Sequence, residues 1–135
     1  MNTQLLFRPP QNQREVDTFQ DICQLVGLPR SQGVIDNNRY KGLLVVVPEG
    51  TIVGGISYSL YSSGSIVSID ALAIKPDHQH HGIGRDIIGF LTNSLKENGV
   101  RKVEVAPTGE SLDFYLKCGF VPANDVGFEY SKQVA

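Results

Sequence analysis

The chain has 135 residues, 41% of them apolar and 19% charged, with a formal net charge of −2 at pH 7. That is the size and make-up of one ordinary domain, taken here as 1–135. The apolar runs are strand-length, no basic-then-apolar leader opens the chain, and the basic residues never cluster beyond a pair. Membrane, signal-peptide and nucleic-acid readings therefore lose their footing. Cys23 and Cys118 lie far apart and outside any CxxC spacing, so neither a disulfide framework nor a zinc knuckle is indicated, and a reducing, cytoplasmic setting is expected.

The stretch TQLLFR, 3–8, reads as a short strand stopped by Pro9 and Pro10. A helix is predicted next. Asn12 is its N-cap with Glu15 three residues on, Val16, Phe19, Cys23 and Val26 share one face, and Gly27 and Pro29 end it. Residues 30–41 are rich in turn formers and are expected to be a loop, a natural place for substrate contacts. GLLVVV at 42–47, TIVGGISYSLY at 51–61 and IVSIDALAI at 66–74 then form a three-strand antiparallel meander, joined by turns at 48–50 and 62–65.

Pro76 closes that run, and a second helix is predicted from about Gly84 to Lys96. Its apolar face carries Ile83, Ile87, Phe90, Leu91 and Leu95, with Asn98-Gly99 as the stop. RKVEVA at 101–106 alternates like a strand, and ESLDFYLKC at 110–118 reads as a short helix closed by Gly119. Phe120 and Val121 open a further strand, and 126–134 is the last. The order predicts an α+β, or mixed α/β, domain whose helices cover a largely antiparallel sheet.

Between the meander and the second helix lies HQHHGIG, 78–84. A helix N-terminus offers unpaired N–H groups and a partial positive charge, and Gly82 and Gly84 would let a phosphate approach the backbone. Two glycines two apart also occur in ordinary strand-to-helix turns, so the spacing alone leaves both readings open. The stretch is neither a P-loop nor a dinucleotide fingerprint, since no GK[ST] follows and the third glycine is missing. Three histidines within four residues of a turn converge poorly on one tetrahedral centre without outside ligands, so no metal is expected. The plainer reading makes them turn residues, with His80 or His81 assisting an anion when protonated.

The strand end ALAIKP, the QxxGxG turn, the helix behind it and FYLKCGF at 114–120 together resemble the GNAT superfamily of acetyl-CoA-dependent N-acetyltransferases. The resemblance implies a central, mostly antiparallel sheet of six or seven strands flanked by three or four helices. It also implies acetyl-CoA as co-substrate, a primary amine of a small molecule or peptide as acceptor, and direct attack in a ternary complex. On that basis the CoA pyrophosphate sits over Gln79, His80, His81, Gly82, Ile83 and Gly84, with Arg85 beside it. The pantetheine arm bonds Leu72, Ala73 and Ile74 and packs near Phe114. The strand at 101–106 is expected to splay away and open a V-shaped gap. Tyr115 is the implied general acid, and Asp70 and Glu104 are candidates for the base.

Each residue has a plainer alternative. For the two carboxylates it is a solvated or salt-bridged role, and for Tyr115 an aromatic packing the last helix. Two departures from the family pattern stand out. Thr108 and Ser111 occupy places where Asn and Ala are common, which puts the Thr108 contact to the arm in question. Histidines replace the usual basic residues in the phosphate turn, and histidine sheds its charge above a reference pKa of about 6.5, so cofactor binding is expected to weaken as pH rises. The competing function is an acyl-CoA-binding sensor of the same fold that performs no turnover; the resemblance also admits a homodimer through 126–134.

Overall fold

The computed structural model describes residues 4–28, 40–61, 64–107, 111–123 and 129–134. In chain order these form β1 (Leu6–Arg8), α1 (Gln13–Leu25), β2 (Tyr40–Val46), β3 (Ile52–Tyr61), β4 (Ile66–Ile74), a 3-10 turn (Pro76–His78), α2 (Ile83–Glu97), β5 (Lys102–Val105), α3 (Leu112–Lys117), β6 (Val121–Pro122) and β7 (Tyr130–Gln133). The strands make one sheet in the order β1-β2-β3-β4-β5-β7-β6. All neighbours are antiparallel except β4 and β5, as a crossover through a helix requires.

Helix α1 starts as its sequence dictates. The Asn12 side chain, on extended backbone, accepts the Glu15 N–H at 3.0 Å. Glu15 then reaches back one residue further than a capping box, accepting the Gln11 N–H at 2.8 Å and gripping Arg8 through two bonds of 2.8 Å. The edge strand is thereby tied to the helix. Val16, Phe19, Ile22 and Cys23 are buried on one face of the sheet with Leu44, Val46, Ala71 and Ala73. Gly55 makes this close packing possible, because a Cβ there would lie 2.9 Å from the Phe19 ring.

The opposite face carries the larger core, where Ile87, Ile88, Leu91 and Leu95 of α2 meet Leu43, Val45, Ile56, Val67, Ile69 and Val103. Phe90 departs from expectation. It remains 44% exposed at the margin of the stripe, its ring 5.2 Å from Phe7 of the edge strand, because Ile88 takes the inward position. Helix α3 spans only six residues, shorter than the pattern over 110–118 implied, and 108–110 lie outside the described residues. The last strand likewise covers Tyr130–Gln133 rather than all of 126–134, with 124–128 also outside them.

Two irregularities in β4 bear on the cleft beside it. Ser57 pairs with Ala71 and Tyr58 with Ile69, so Asp70 is an extra, bulged residue. The bulge reverses which way later side chains point: Val67 and Ile69 join the α2 core, whereas Ala71 and Ala73 join the α1 core. The second irregularity is where pairing stops. β5 follows β4 from Ile66↔Lys102 to Ile69↔Val105, while β4 runs on to Ile74. Its edge beyond Ile69 therefore has no ladder partner on that side among the described residues.

Candidate active site

The turn after β4 is held by Gln79. Its side-chain Nε2 donates to the Ile74 carbonyl at 2.8 Å, and its own N–H donates to Pro76 O at 3.3 Å. That N–H is thus engaged, and the unpaired donors lie further on. His80 (φ 65°) and Gly82 (φ 82°) both take left-handed backbone, the conformation that glycine tolerates and that aims successive N–H groups together. Gly82 caps α2, whose first backbone bond runs from Asp86 N–H to Gly82 O at 3.0 Å. The N–H groups of Ile83, Gly84 and Arg85 are left without an intrahelical acceptor, at the positive end of a 15-residue helix. Phe114 lies directly on Gly84, where a Cβ would meet its Cε1 at 3.0 Å.

From this turn a cleft of about 590 Å³ runs along the unpaired part of β4. Leu72, Ala73 and Ile74 form one wall, and Gly82, Gly84 and Arg85 form its end. The far wall is Ser111, Phe114, Tyr115 and Cys118, which repeat at the i, i+3, i+4, i+7 spacing of one helical face. That spacing is the signal available for Ser111 and Cys118, for which no cofactor contact is predicted above; His78, Lys117 and Val26 are also on the lining without a predicted contact. His80 lines the cleft, while His81 is exposed and does not. Thr108 lies outside the described residues. Among the described residues no three His, Cys, Asp or Glu side chains stand together as a metal-binding group, and His78 Nδ1 sits 3.1 Å from Asp77.

Tyr115 is 5% exposed, set edge-on between Phe114 and Phe120 with ring centroids 5.0 and 5.4 Å away. Burial, helped by the neighbouring Cys118, raises its phenol well above the usual range, so it stays protonated throughout neutral pH. No hydrogen bond reaches its hydroxyl among the described residues. Burial also raises the Cys118 thiol, against the opposing charges of Lys132 and Arg85.

The two candidate carboxylates are elsewhere. Tyr58, Leu60, Val103 and Val105 belong to the α2 core, so Ser59, Tyr61 and Glu104 face the other side of the sheet. Asp70 joins them through a bond of 3.4 Å from Ser59 Oγ. It stands at the bulge, one residue past the last β4–β5 pair. Desolvation raises its carboxyl, with Ser59 pulling the other way. Glu104 is held down instead, chiefly by the hydroxyl of Tyr61 and then by Lys102, whose Nζ is 3.1 Å from Oε2. The Tyr115 phenol thus packs with the α2 core on one face of the sheet, and the two carboxylates lie on the other.

No curated protein matches the chain. Solved structures share its fold at low identity. The ribosomal-protein-S18-alanine N-acetyltransferase of Escherichia coli is 16% identical with a TM-score of 0.79, over 98% of this chain and 95% of its own. An acetyltransferase from Thermus thermophilus is 19% identical with a TM-score of 0.77, over 98% and 99%. A GNAT family N-acetyltransferase of E. coli, solved in complex with CoA, is 16% identical with a TM-score of 0.75, over 100% and 84%. The family model for the acetyltransferase (GNAT) family matches residues 3–120, and the chain belongs to that family, whose general reaction is acetyl-CoA-dependent N-acetylation.

Proposed function

We propose that this chain moves an acetyl group from acetyl-CoA to a primary amine of a small molecule or peptide, with both substrates bound at once. The observation that carries the reading is the stretch of β4 left without a ladder partner beyond Ile69↔Val105, which lines the cleft through Leu72, Ala73 and Ile74 together with Tyr115.

The residues of the cleft suit the donor. Three N–H groups at the start of α2 match a diphosphate, which a helix N-terminus binds with little help from side chains. The unpaired edge of β4 offers backbone groups to an amide-bearing arm. Acetyl-CoA bound there supplies an activated thioester. Asp70 takes the proton that the incoming ammonium must lose, and its desolvated, raised carboxyl is better suited to this than an ordinary aspartate. Glu104 is the poorer base, because both of its oxygens are engaged and its carboxyl is lowered. A β4 N–H steadies the carbonyl oxygen as charge develops. Tyr115 gives its proton to the departing sulfur, and burial keeps the phenol protonated until that charge forms beside it. Two unbridged thiols, Cys23 and Cys118, agree with a cytoplasmic setting.

The test is thiol release with a panel of spermidine, kanamycin, lysine and a peptide with a free N-terminus. Wild type is run beside Tyr115→Phe and Asp70→Asn. Tyr115→Phe is expected to lose about 10²-fold or more in kcat, the lower range of general acid catalysis. Asp70→Asn is expected to remove the acid limb of the pH profile. Equal rates in Tyr115→Phe refute the acid. If acetyl-CoA raises the melting temperature while no amine is acetylated, the chain is a binding module.

A further inference from the structure

We propose that Tyr61 is a positioning residue that fixes Glu104 as a permanent anion on the acceptor face, where that carboxylate holds the amine's charge without taking its proton. The proposal rests on the acetyltransferase reading above and assigns the two carboxylates separate work.

Tyr61 ends β3 and reaches Glu104 of β5 across β4, a separation of 43 residues in the chain. Its hydroxyl donates to Glu104 Oε1 and is itself bonded by Ser68, the β4 residue paired with Glu104. Lys102 occupies the second oxygen at 3.1 Å. The carboxylate is therefore clamped from two strands while Ser68 orients the phenol from the strand between them. Each carboxylate oxygen has two lone pairs, so Glu104 still has acceptor capacity for an ammonium after these bonds form.

Among the described residues, the charged groups that act on the pair are Lys102 on β5, beside Glu104, and Glu129 before β7, which acts on Tyr61 electrostatically, while Asp70 on β4 is bonded to Ser59 on the same face. Desolvation and the Glu104 charge push the Tyr61 phenol up to about 12, while its donated proton pulls Glu104 down. Proton and charge thus stay where they are over the working range. Asp70, by contrast, has one long bond among the described residues, from Ser59 at 3.4 Å, and is not clamped as Glu104 is.

The experiment pairs kinetics with a direct titration. In Tyr61→Phe the acceptor KM, measured with whichever of the four panel amines turns over fastest, is expected to rise about tenfold, a typical effect of losing one hydrogen bond to a charged group. The kcat and the KM for acetyl-CoA are expected to change less than threefold. The acceptor KM of the variant is expected to climb as pH falls towards 5, because Glu104 now protonates earlier, while that of wild type does not. Tyr61→Phe placed on Glu104→Gln is expected to add nothing. Carboxyl ¹³C NMR, with the Glu104 signal assigned by its loss in Glu104→Gln, is expected to show a higher titration midpoint in Tyr61→Phe. An unchanged midpoint, multiplying effects in the double variant, or a fall in kcat at constant KM overturns the proposal. A wild type silent towards every amine defeats the transferase reading, and the carboxyl titration still decides whether Tyr61 governs Glu104.

Discussion

Replacing Gly82 by alanine tests whether the backbone of the phosphate turn, and not its histidines, makes the site. Gly82 caps α2 at φ 82°, and an added Cβ would meet nothing within 4 Å, so crowding contributes nothing and the whole effect is conformational. A left-handed backbone costs an L-residue about 1–2 kcal/mol, and the lower entropy of the unfolded alanine chain returns about 0.4–1 kcal/mol. The net loss is about 1 kcal/mol. Unfolding 135 residues at about 2.1 cal/mol/K each gives about 0.28 kcal/mol/K, so the melting temperature is expected to drop by about 3–4 °C. Where the turn relaxes to avoid that strain, the N–H groups of Ile83 to Arg85 lose their common aim, and CoA binding is expected to weaken about fivefold by calorimetry. Gly82→Asn, which tolerates the left-handed region, is expected to lose about half as much in both assays. An alanine variant that melts and binds like wild type, or an asparagine variant as impaired as alanine, refutes the reasoning.

Other perturbations reach the scaffold around the site. In Gly54→Ala the new Cβ would stand 2.5 Å from the Ala73 carbonyl oxygen and 2.7 Å from Ile74 Cδ1. Overpacking against sheet backbone is expected to cost about 3 kcal/mol, or about 10 °C in a thermal melt; a loss under 2 °C would show that β3 and β4 part without strain. The Arg8 clamp holds the Glu15 carboxyl down to about 2, against 4.5 for the free group. A carboxyl lowered by folding stabilises above its unfolded pKa and loses that contribution as pH falls through the folded value. Arg8→Met is therefore expected to destabilise by about 1 kcal/mol at pH 7, the magnitude of a partly exposed pair, and by only a small fraction of that near pH 2, where the contribution is nearly lost. Denaturant titrations at both pH values check this, and a pH-independent difference contradicts it.

Much of this architecture is legible in the sequence because its signals are local. Pro and Gly punctuate the meander, Asn12 and Glu15 mark the start of α1, and the GIG of 82–84 precedes an apolar stripe of helical period. The bulge is not legible. SIDALAI alternates as though Ile69, Ala71 and Ala73 shared one face, and only pairing with β3 shows that Asp70 is inserted and the later alanines turned to α1. Phe90 sits at a stripe position whose burial depends on how α2 is rolled against the sheet, which periodicity does not set. The motif located Tyr115 but not its burial between two aromatic rings. Nor did any spacing point to Tyr61, since its partner Glu104 is reached only through the β3-β4-β5 order of the sheet.

Every step of the proposed chemistry depends on the cleft receiving CoA with its diphosphate at the start of α2. The most direct measurement is the ¹⁵N–¹H spectrum of the protein titrated with CoA. The Ile83, Gly84 and Arg85 amide protons are expected to move farthest downfield, as hydrogen bonds to an anion form, with smaller shifts along Leu72 to Ile74. Shifts centred on another surface, with those three amides unmoved at saturation, would contradict it.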